Sequence, residues 1–134
     1  MNLINPPLIS LLASCICLFF SGCYTHAILR DENRANLNKL ELGMSKQQVF
    51  ATMGEKTATA IDGKVCNPYR RELLKSANGS NFEVLYYYTE YYIVGSSMDS
   101  VLTPVVLKDG RVVGFGWDAL ELFGLKKTFL LKSR

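Results

Sequence analysis

Histidine and cysteine are the side chains best suited to nucleophilic catalysis and to metal binding near neutral pH. This 134-residue chain has one histidine and four cysteines. A zinc site needs about four ligands, and Cys66 has no other Cys or His near it in the sequence. A nucleophilic Cys66 would need a base, but we predict that His26 lies on a tether outside the folded domain. We therefore expect no enzymatic activity, no metal and no cofactor, and we expect Cys66 to be a buried, inert thiol.

The reaction that the sequence does favour is lipid attachment. Residues 7–20 form an apolar segment of signal-peptide length, whereas a membrane-spanning helix needs about 20 apolar residues. Two small residues, Ser21 and Gly22, directly precede Cys23. This pattern resembles the lipobox of bacterial lipoproteins, in which the cysteine is lipidated and becomes the first residue of the mature chain. We predict that residues 1–22 are a signal peptide and that Cys23 carries the lipid.

Cys15 is the alternative lipidation site, because residues 12–15 match the lipobox more cleanly. Cleavage there would leave residues 16–20 as an apolar stub on the mature protein, so we prefer Cys23. An uncleaved membrane anchor is a second alternative. Tyr24, and not Asp, follows Cys23, which is similar to lipoproteins that are sent to the outer membrane. The expected location is therefore the periplasmic face of the outer membrane, with the membrane contacted through the N-terminal lipid.

The charges are distributed unevenly along the chain. The first 29 residues have no charged side chain, residues 30–123 have 11 basic and 12 acidic residues, and residues 124–134 have four basic residues and no acid. A nearly neutral domain has no basic footprint for nucleic acid, so we expect no nucleic-acid partner. The basic tail could lie on an anionic membrane surface or be a frayed terminus. We divide the rest into a lipidated Cys with its tether, residues 23–32, and an α+β domain, residues 33–123.

The clearest helix signal begins at Ser45. Ser45 and Gln48 have the spacing of a capping box, in which each side chain binds the backbone N–H of the other residue. Gly54 is expected to supply the left-handed conformation that ends a helix. Between the caps, three apolar residues share one face and should pack on the core: Val49, Phe50 and Met53. A shorter polar helix, over residues 30–40 and capped by Asp31 or Asn33, is expected before it.

Strand signals dominate the second half of the chain. Residues 82–94 are dense in aromatic and β-branched side chains and predict the strongest strand. Either both of its faces are at least partly covered, or the solvent face is a strip of tyrosines. Residues 101–107 and 112–117 predict two more strands. The Asn-Gly at residues 78–79 and the Asp-Gly at residues 109–110 predict hairpin turns. The expected fold class is therefore α+β, with two short N-terminal helices packed on an antiparallel β-meander of three or four strands.

Other parts of the sheet are predicted from weaker signals. Residues 57–61 could form a short edge strand, residues 64–68 read as a loop because Pro68 disfavours helix before it, and residues 69–75 complete a hairpin. Pro104 suggests an edge or bulged position in its strand. Further along, Gly114 and Gly116 leave one face of the last strand without side chains, so another element can approach it closely. A helical turn capped by Asp118 is expected after them.

The sequence of residues 42–54, Leu-Gly-Met-Ser-Lys-Gln-Gln-Val-Phe-Ala-Thr-Met-Gly, resembles the signature of the SmpA/OmlA (BamE-like) lipoproteins. That family includes a component of the outer-membrane β-barrel assembly machinery, and its α+β fold is also similar to the β-lactamase-inhibitor protein. Lys56 stands where the family usually has Pro. An insertion at residues 64–76, with residues 86–88 and 102–106, is more similar to a group of small uncharacterised envelope lipoproteins that share the fold. The resemblance therefore implies the fold more firmly than a role in barrel assembly.

Five of the seven tyrosines lie between residues 86 and 92. Tyrosine is favoured at protein interfaces, because it adds contact area and a hydroxyl at low entropic cost. We predict a binding surface at Tyr87, Tyr91 and Tyr92, with Arg70 and Arg71 as a neighbouring anion-binding patch; otherwise the rings are core and the arginines are a solvated strand face. The expected partner is an envelope protein of an assembly or maintenance complex. The alternative is a free-standing lipoprotein that binds lipid or peptidoglycan through its basic tail.

Overall fold

The computed structural model describes residues 25–60 and 63–125, and the predicted signal peptide, Cys15, Cys23 and most of the basic tail lie outside them. The described part is α+β, as predicted: helices come first and an antiparallel sheet follows. The elements are α1 (His26–Leu37), α2 (Lys46–Met53), β1 (Thr57–Ala60), β2 (Gly63–Cys66), β3 (Arg70–Lys75), β4 (Asn81–Tyr88), the 3₁₀ helix η1 (Met98–Val101), β5 (Leu102–Lys108), β6 (Arg111–Phe115) and α3 (Gly116–Leu122).

Four strands form the main sheet, in the order β3-β4-β5-β6, and each pairs antiparallel with the next. β1 and β2 form a separate two-stranded hairpin. The turn between β5 and β6 has φ 50° at Asp109 and φ 73° at Gly110, which is the primed geometry that the Asp-Gly pair predicted. No helix in the two described ranges is both long and apolar enough to cross a membrane.

The central strands β4 and β5 are covered on both faces, which is the first of the two predicted alternatives. The face that we call the helix side lies under α1 and α2, and its buried cluster contains Leu40, Val49, Met53, Leu85, Tyr87, Val105, Leu107 and Val112. The opposite face, the α3 side, has a cluster of Phe82, Val84, Tyr86, Tyr88, Val101, Leu102, Val106, Ala119, Leu120 and Leu125. Period-two alternation of side chains along β4 and β5 therefore supplies both halves of the core.

The capping box of α2 is confirmed. The backbone N–H of Gln48 donates to Ser45 Oγ at 3.3 Å, and the Ser45 N–H donates to Gln48 Oε1 at 2.8 Å. Gly54 ends the helix, but at φ 74° and ψ 165° it is not in the predicted left-handed conformation, because its ψ is extended. Val49 and Met53 are buried beneath the helix and Phe50 is half-buried.

The connection into α2 also covers one edge of the sheet. The Gly43 N–H donates to Val112 O at 2.8 Å, and the Val112 N–H donates to Met44 O at 2.9 Å. The Lys46 N–H donates to Gly110 O at 2.9 Å. These bonds pair the outer edge of β6 with the segment that leads into α2, so this edge presents few free backbone groups to another strand.

α3 lies directly against β6 because Gly114 has no side chain. A Cβ added at Gly114 would lie 2.7 Å from Ala119 Cβ, which is closer than carbon atoms approach. A close approach to the bare face of this strand was predicted, and a helix makes it. Trp117 and Asp118 belong to that helix, however, and α3 has no side-chain cap. The helix ends in a Schellman motif: the Leu125 N–H donates to Leu120 O at 2.7 Å and the Gly124 N–H to Glu121 O at 3.0 Å.

Three differences from the sequence prediction concern the ends of the domain. α1 begins at His26, so residues 26–32 are helical where a tether was expected, and neither Asp31 nor Asn33 is a cap. Leu125, assigned to the basic tail, is buried in the α3-side cluster. The ends of the domain are fixed by contacts between residues distant in sequence, so the local charge pattern did not reveal them.

Three further differences concern the strands. Residues 64–66, predicted as part of a loop, belong to β2, which pairs with β1 from Thr57↔Cys66 to Ala60↔Gly63. β4 ends at Tyr88 and not at residue 94, since the N–H groups of Thr89 and Glu90 both donate to Val101 O and turn the chain away from the sheet. Pro104, predicted at an edge or a bulge, lies in an interior strand. The pairing of β5 with β6 begins only at the next residue. The register shift in that strand is at residues 106–107.

Candidate binding surface

The three consecutive tyrosines of β4 are buried, and they alternate between the two faces of the sheet. Tyr86 and Tyr88 lie on the α3 side and Tyr87 on the helix side. Tyr87 was predicted to be exposed and is fully buried, so that prediction is wrong. A run of aromatic residues in a central strand indicates burial on both faces.

Burial raises the pKa of the Tyr87 phenol, and its hydroxyl has no hydrogen-bond partner in the described part of the chain. We expect Tyr87→Phe to raise the free energy of unfolding by about 1 kcal/mol, because an unpaired buried hydroxyl is replaced by hydrogen. Tyr86→Phe is the matched control and should lower it by about 1 kcal/mol, since Tyr86 Oη donates to Glu72 Oε2 at 3.0 Å. Urea unfolding of both variants measures the difference, and a loss above 1 kcal/mol for Tyr87→Phe would contradict it.

The other two tyrosines of the predicted surface lie on a loop whose tip is exposed. Tyr91 is 66% exposed, Tyr92 50%, Ile93 71% and Val94 95%. We call residues 91–94 the aromatic loop. A bond from the Ser96 N–H to Ile93 O at 2.9 Å closes the turn, and Gly95 has a φ of 89°. Four consecutive exposed apolar residues form a contiguous apolar surface, which is the kind of surface that interaction sites use.

Two arginines of α1 support the base of the aromatic loop. The Arg30 guanidinium lies 3.5 Å from the centroid of the Tyr91 ring, and Arg30 itself is buried. Its Nε and Nη2 donate to Asp31 Oδ1 at 2.9 and 2.8 Å. One turn further along, Arg34 Nη1 lies 3.5 Å from Glu90 Oε2. The cation–π contact with a buried guanidinium holds Tyr91 in a defined position.

Ile93 and Val94 are the members of this surface that the sequence prediction missed, because residues 82–94 were taken as one strand. In a strand half of these side chains would have faced the core. The signal that marks their exposure is Gly95 with the serines after it, since a turn there ends the apolar run.

The two arginines predicted beside the tyrosines do not form a common patch. Arg70 faces the α3 side, where its Nη2 lies 2.8 Å from Asp99 Oδ1 and its Nε 3.3 Å from Glu72 Oε1. Burial lowers the pKa of Arg70, but Asp99 and Glu72 outweigh it and leave that pKa raised. Arg71 is on the opposite face, above the Phe50 ring. Arg70 therefore neutralises acidic groups inside the domain.

Glu72 connects this ion-pair network to the core. Burial and the Glu72 carboxylate raise the pKa of Tyr86 to about 12. The Arg70 guanidinium also lies 4.1 Å from the Tyr86 ring centroid. The network joins β3, β4 and η1 through ion pairs within the domain, although Arg70 Nε itself has no hydrogen-bond partner in the described part of the chain.

Neither residue considered for nucleophilic catalysis lies where the sequence predicted. Cys66 is exposed and not buried, and its Sγ accepts a hydrogen bond from Thr57 Oγ1 at 3.5 Å. His26 is the first residue of α1 and packs edge-on against Tyr88, with ring centroids 6.3 Å apart. Across residues 25–60 and 63–125, no three His, Cys, Asp or Glu side chains are grouped so that they could hold a metal ion.

A buried pair of asparagines, which the sequence did not indicate, lies at the centre of the described structure. Asn33 Nδ2 donates to Asn67 Oδ1 at 2.9 Å and to Tyr88 O at 2.9 Å. Asn67 Nδ2 donates to Asn33 Oδ1 at 2.7 Å and to Met53 O at 2.9 Å. The pair connects α1, the end of α2, the segment before β3 and the end of β4. It fixes α1 against the point where the chain leaves β4 for the aromatic loop.

A family model described as "Protein of unknown function (DUF3192)" matches residues 27–122 of the chain. The chain belongs to the DUF3192 family. The match runs from the first turn of α1 to the last residue of α3, so the DUF3192 region contains the aromatic loop, both buried asparagines and the whole main sheet. No match is found among the curated proteins or among the solved structures. The surface of the DUF3192 domain is therefore the basis for a functional proposal.

Proposed function

We propose that this DUF3192 protein is a lipid-anchored, non-enzymatic binding protein of the bacterial cell envelope, and that it holds a partner protein through the aromatic loop. The observation that carries the proposal is the exposure of four consecutive apolar residues, 91–94, on a loop held by α1. Aromatic and aliphatic side chains at the centre of an interface, with polar residues around them, are the usual anchors of protein–protein recognition. Arg34 and Glu90 supply such a polar rim.

The lipid anchor is proposed from the sequence, because Cys23 lies outside the described residues. Its support is the apolar segment at residues 7–20 and the small residues before Cys23. The likeness of residues 42–54 to the SmpA/OmlA signature supports an outer-membrane assembly or maintenance complex as the setting of the partner. The α+β fold is compatible with that likeness but does not by itself assign a role.

Photo-crosslinking in intact cells tests the aromatic loop. With p-benzoylphenylalanine at position 93 or 94, we expect a discrete adduct with one envelope protein. Position 122 is the matched control, because Leu122 is also a highly exposed apolar residue but lies on α3. The Tyr92→Ser substitution should reduce the position-93 adduct at least fivefold, since it removes about half of the exposed aromatic area of the loop. Equal adducts at positions 93 and 122, or none at 93 and 94, would rule out the loop as the binding site.

Metabolic labelling with an alkyne fatty acid tests the anchor. We expect Cys23→Ser to abolish the label and Cys15→Ser, its matched control, to retain it. The reverse result would move the anchor to Cys15, and label on both variants would contradict lipidation at either single site.

Depletion of the protein tests the assembly role separately. A fall in the outer-membrane content of β-barrel proteins, measured by quantitative mass spectrometry, is expected for a component of their assembly complex. An unchanged content would remove barrel assembly from the proposal and leave the aromatic loop and the anchor to be judged by their own tests.

A further inference from the structure

The outer edge of β3 is the unpaired edge of the main sheet. β3 is the first strand in the order β3-β4-β5-β6, and no strand in the described ranges pairs with its outer side. The opposite edge, at β6, is covered by the chain before α2. Within the described ranges the two edges of this sheet therefore differ, and only the β3 edge has backbone groups available to another strand.

The register shows which backbone groups point outward. The Ser76 N–H donates to Ser80 O at 2.9 Å, so residues 76 and 80 form a hydrogen-bonded pair. Such pairs alternate along an antiparallel ladder, and β3 continues in the same register to Arg70↔Tyr86. The N–H and C=O groups that point away from β4 therefore belong to Arg71, Leu73 and Lys75.

The side chains of the same three residues are exposed on the helix side. Leu73 is 84% exposed, between two exposed cations, and α2 does not extend over it. An open groove of about 360 Å³ lies beside it. The groove is lined by Lys46, Arg71, Glu72, Leu73 and Glu83. A strand added to β3 would place its own helix-side residues over this groove.

The charges decide between two possible occupants of this edge. If a second copy of the chain bound here, its β3 would pair antiparallel with this β3. The two registers with the greatest overlap place the symmetry axis at Glu72 or at Leu73. The first places Glu72 opposite its own copy, and the second places Arg71 opposite Lys75. Like charges directly opposite one another destabilise a strand pair. The pattern of cation, leucine and cation is instead complementary to a segment with an apolar residue between two acidic ones.

We infer that the outer edge of β3 binds an extended segment of a partner protein whose side chains over the helix side alternate acidic, apolar and acidic. Backbone hydrogen bonds at Arg71, Leu73 and Lys75 give the affinity, and the two cations select the sequence. This inference goes beyond the proposed function, since it requires neither the lipid nor the aromatic loop.

A synthetic peptide tests the inference on the full-length protein in detergent. The probe is fluorescein-labelled Thr-Thr-Glu-Thr-Val-Thr-Glu-Thr-Thr, and binding is followed by fluorescence anisotropy. We expect saturable binding that weakens with added salt, and at least tenfold weaker binding of the same peptide with Lys in place of both Glu. No saturable binding of the acidic probe, or equal binding of the two peptides, would overturn the inference.

Two variants locate the binding site on β3. Leu73→Pro removes an outward N–H without touching the ladder to β4, and it should weaken the probe about tenfold. Leu73→Thr is the matched control, keeps that N–H, and should weaken the probe less than Leu73→Pro does. Thermal unfolding confirms that both variants are folded. Equal affinity of wild type and a folded Leu73→Pro variant would place the probe elsewhere and overturn the assignment.

Charge reversal gives a result that does not depend on the proline. The Arg71→Glu, Lys75→Glu double variant should reject the acidic probe and bind the Lys-containing peptide instead. Retained preference for the acidic probe would contradict the proposed register. The Tyr92→Ser and Cys23→Ser proteins should bind the probe like wild type, so failure of the proposed function and failure of this inference can be told apart.

Discussion

Asn33→Ala is expected to lower the free energy of unfolding by about 3 kcal/mol, the largest loss among the substitutions considered for this protein. Asn33 is fully buried and makes three hydrogen bonds through its side-chain amide. Its removal leaves Tyr88 O, Asn67 Oδ1 and Asn67 Nδ2 each without one hydrogen-bond partner. An unpaired buried polar group costs about 1–3 kcal/mol, so the loss exceeds that of a single hydrogen bond.

A double-mutant cycle with Asn67→Ala measures the coupling between the two amides. The double variant should be more stable than the sum of the single losses predicts, by about 1–2 kcal/mol, because the second substitution removes groups that the first one left unpaired. Asn36→Ala is the matched control on the same helix. Asn36 is only half-buried and accepts one exposed bond from Lys39. A loss for Asn33→Ala no greater than that for Asn36→Ala would show that the pair does not stabilise the fold.

Gly114→Ala is expected to lower the free energy of unfolding by about 2 kcal/mol, because overpacking a tight contact forces backbone or helix to shift. The added methyl group would lie 2.7 Å from Ala119 Cβ and 3.4 Å from Phe123 Cε2. The backbone of Gly114 does not have a positive φ, so conformational strain does not enter. The steric contact with α3 is therefore the only large contribution to the expected loss of stability.

Exchanging the two small residues isolates that contact. Ala119→Gly alone should cost about 1 kcal/mol, because glycine is unfavourable within a helix. Combined with Gly114→Ala, it removes the facing methyl group, so the double variant should be at least about 1 kcal/mol more stable than additivity predicts. Thermal or urea unfolding measures all three variants. Strict additivity would show that the distance between α3 and β6 is not set by these two positions.

The features predicted correctly from the sequence are those that depend on residues a few positions apart. The capping box needs Ser45 and Gln48, three residues apart, and the primed turn needs only Asp109 and Gly110. Each is nearly independent of the rest of the chain, because short-range hydrogen bonding and φ preferences determine it. Alternation along β4 likewise predicts that both faces of the sheet are covered.

The features that were missed depend on contacts between distant segments. Asn33 and Asn67 are 34 residues apart, and each has an ordinary polar side chain on an apparently solvated segment. The end of β4 is set by bonds from residues 89 and 90 to Val101, which lies on the far side of a loop. The exposure of Cys66 follows from the pairing of β2 with β1. No local pattern reports such pairings, so tertiary structure decides them.

The first described residue, Thr25, is already part of the fold. It pairs with Thr59, and α1 starts at the next position. If Cys23 carries the lipid, one residue separates it from Thr25, and a chain spans at most about 3.6 Å per residue. Thr25 would then lie within about 7 Å of the lipidated cysteine, so the domain would stay beside the bilayer. Partners held at the same membrane surface would then be within reach of the domain.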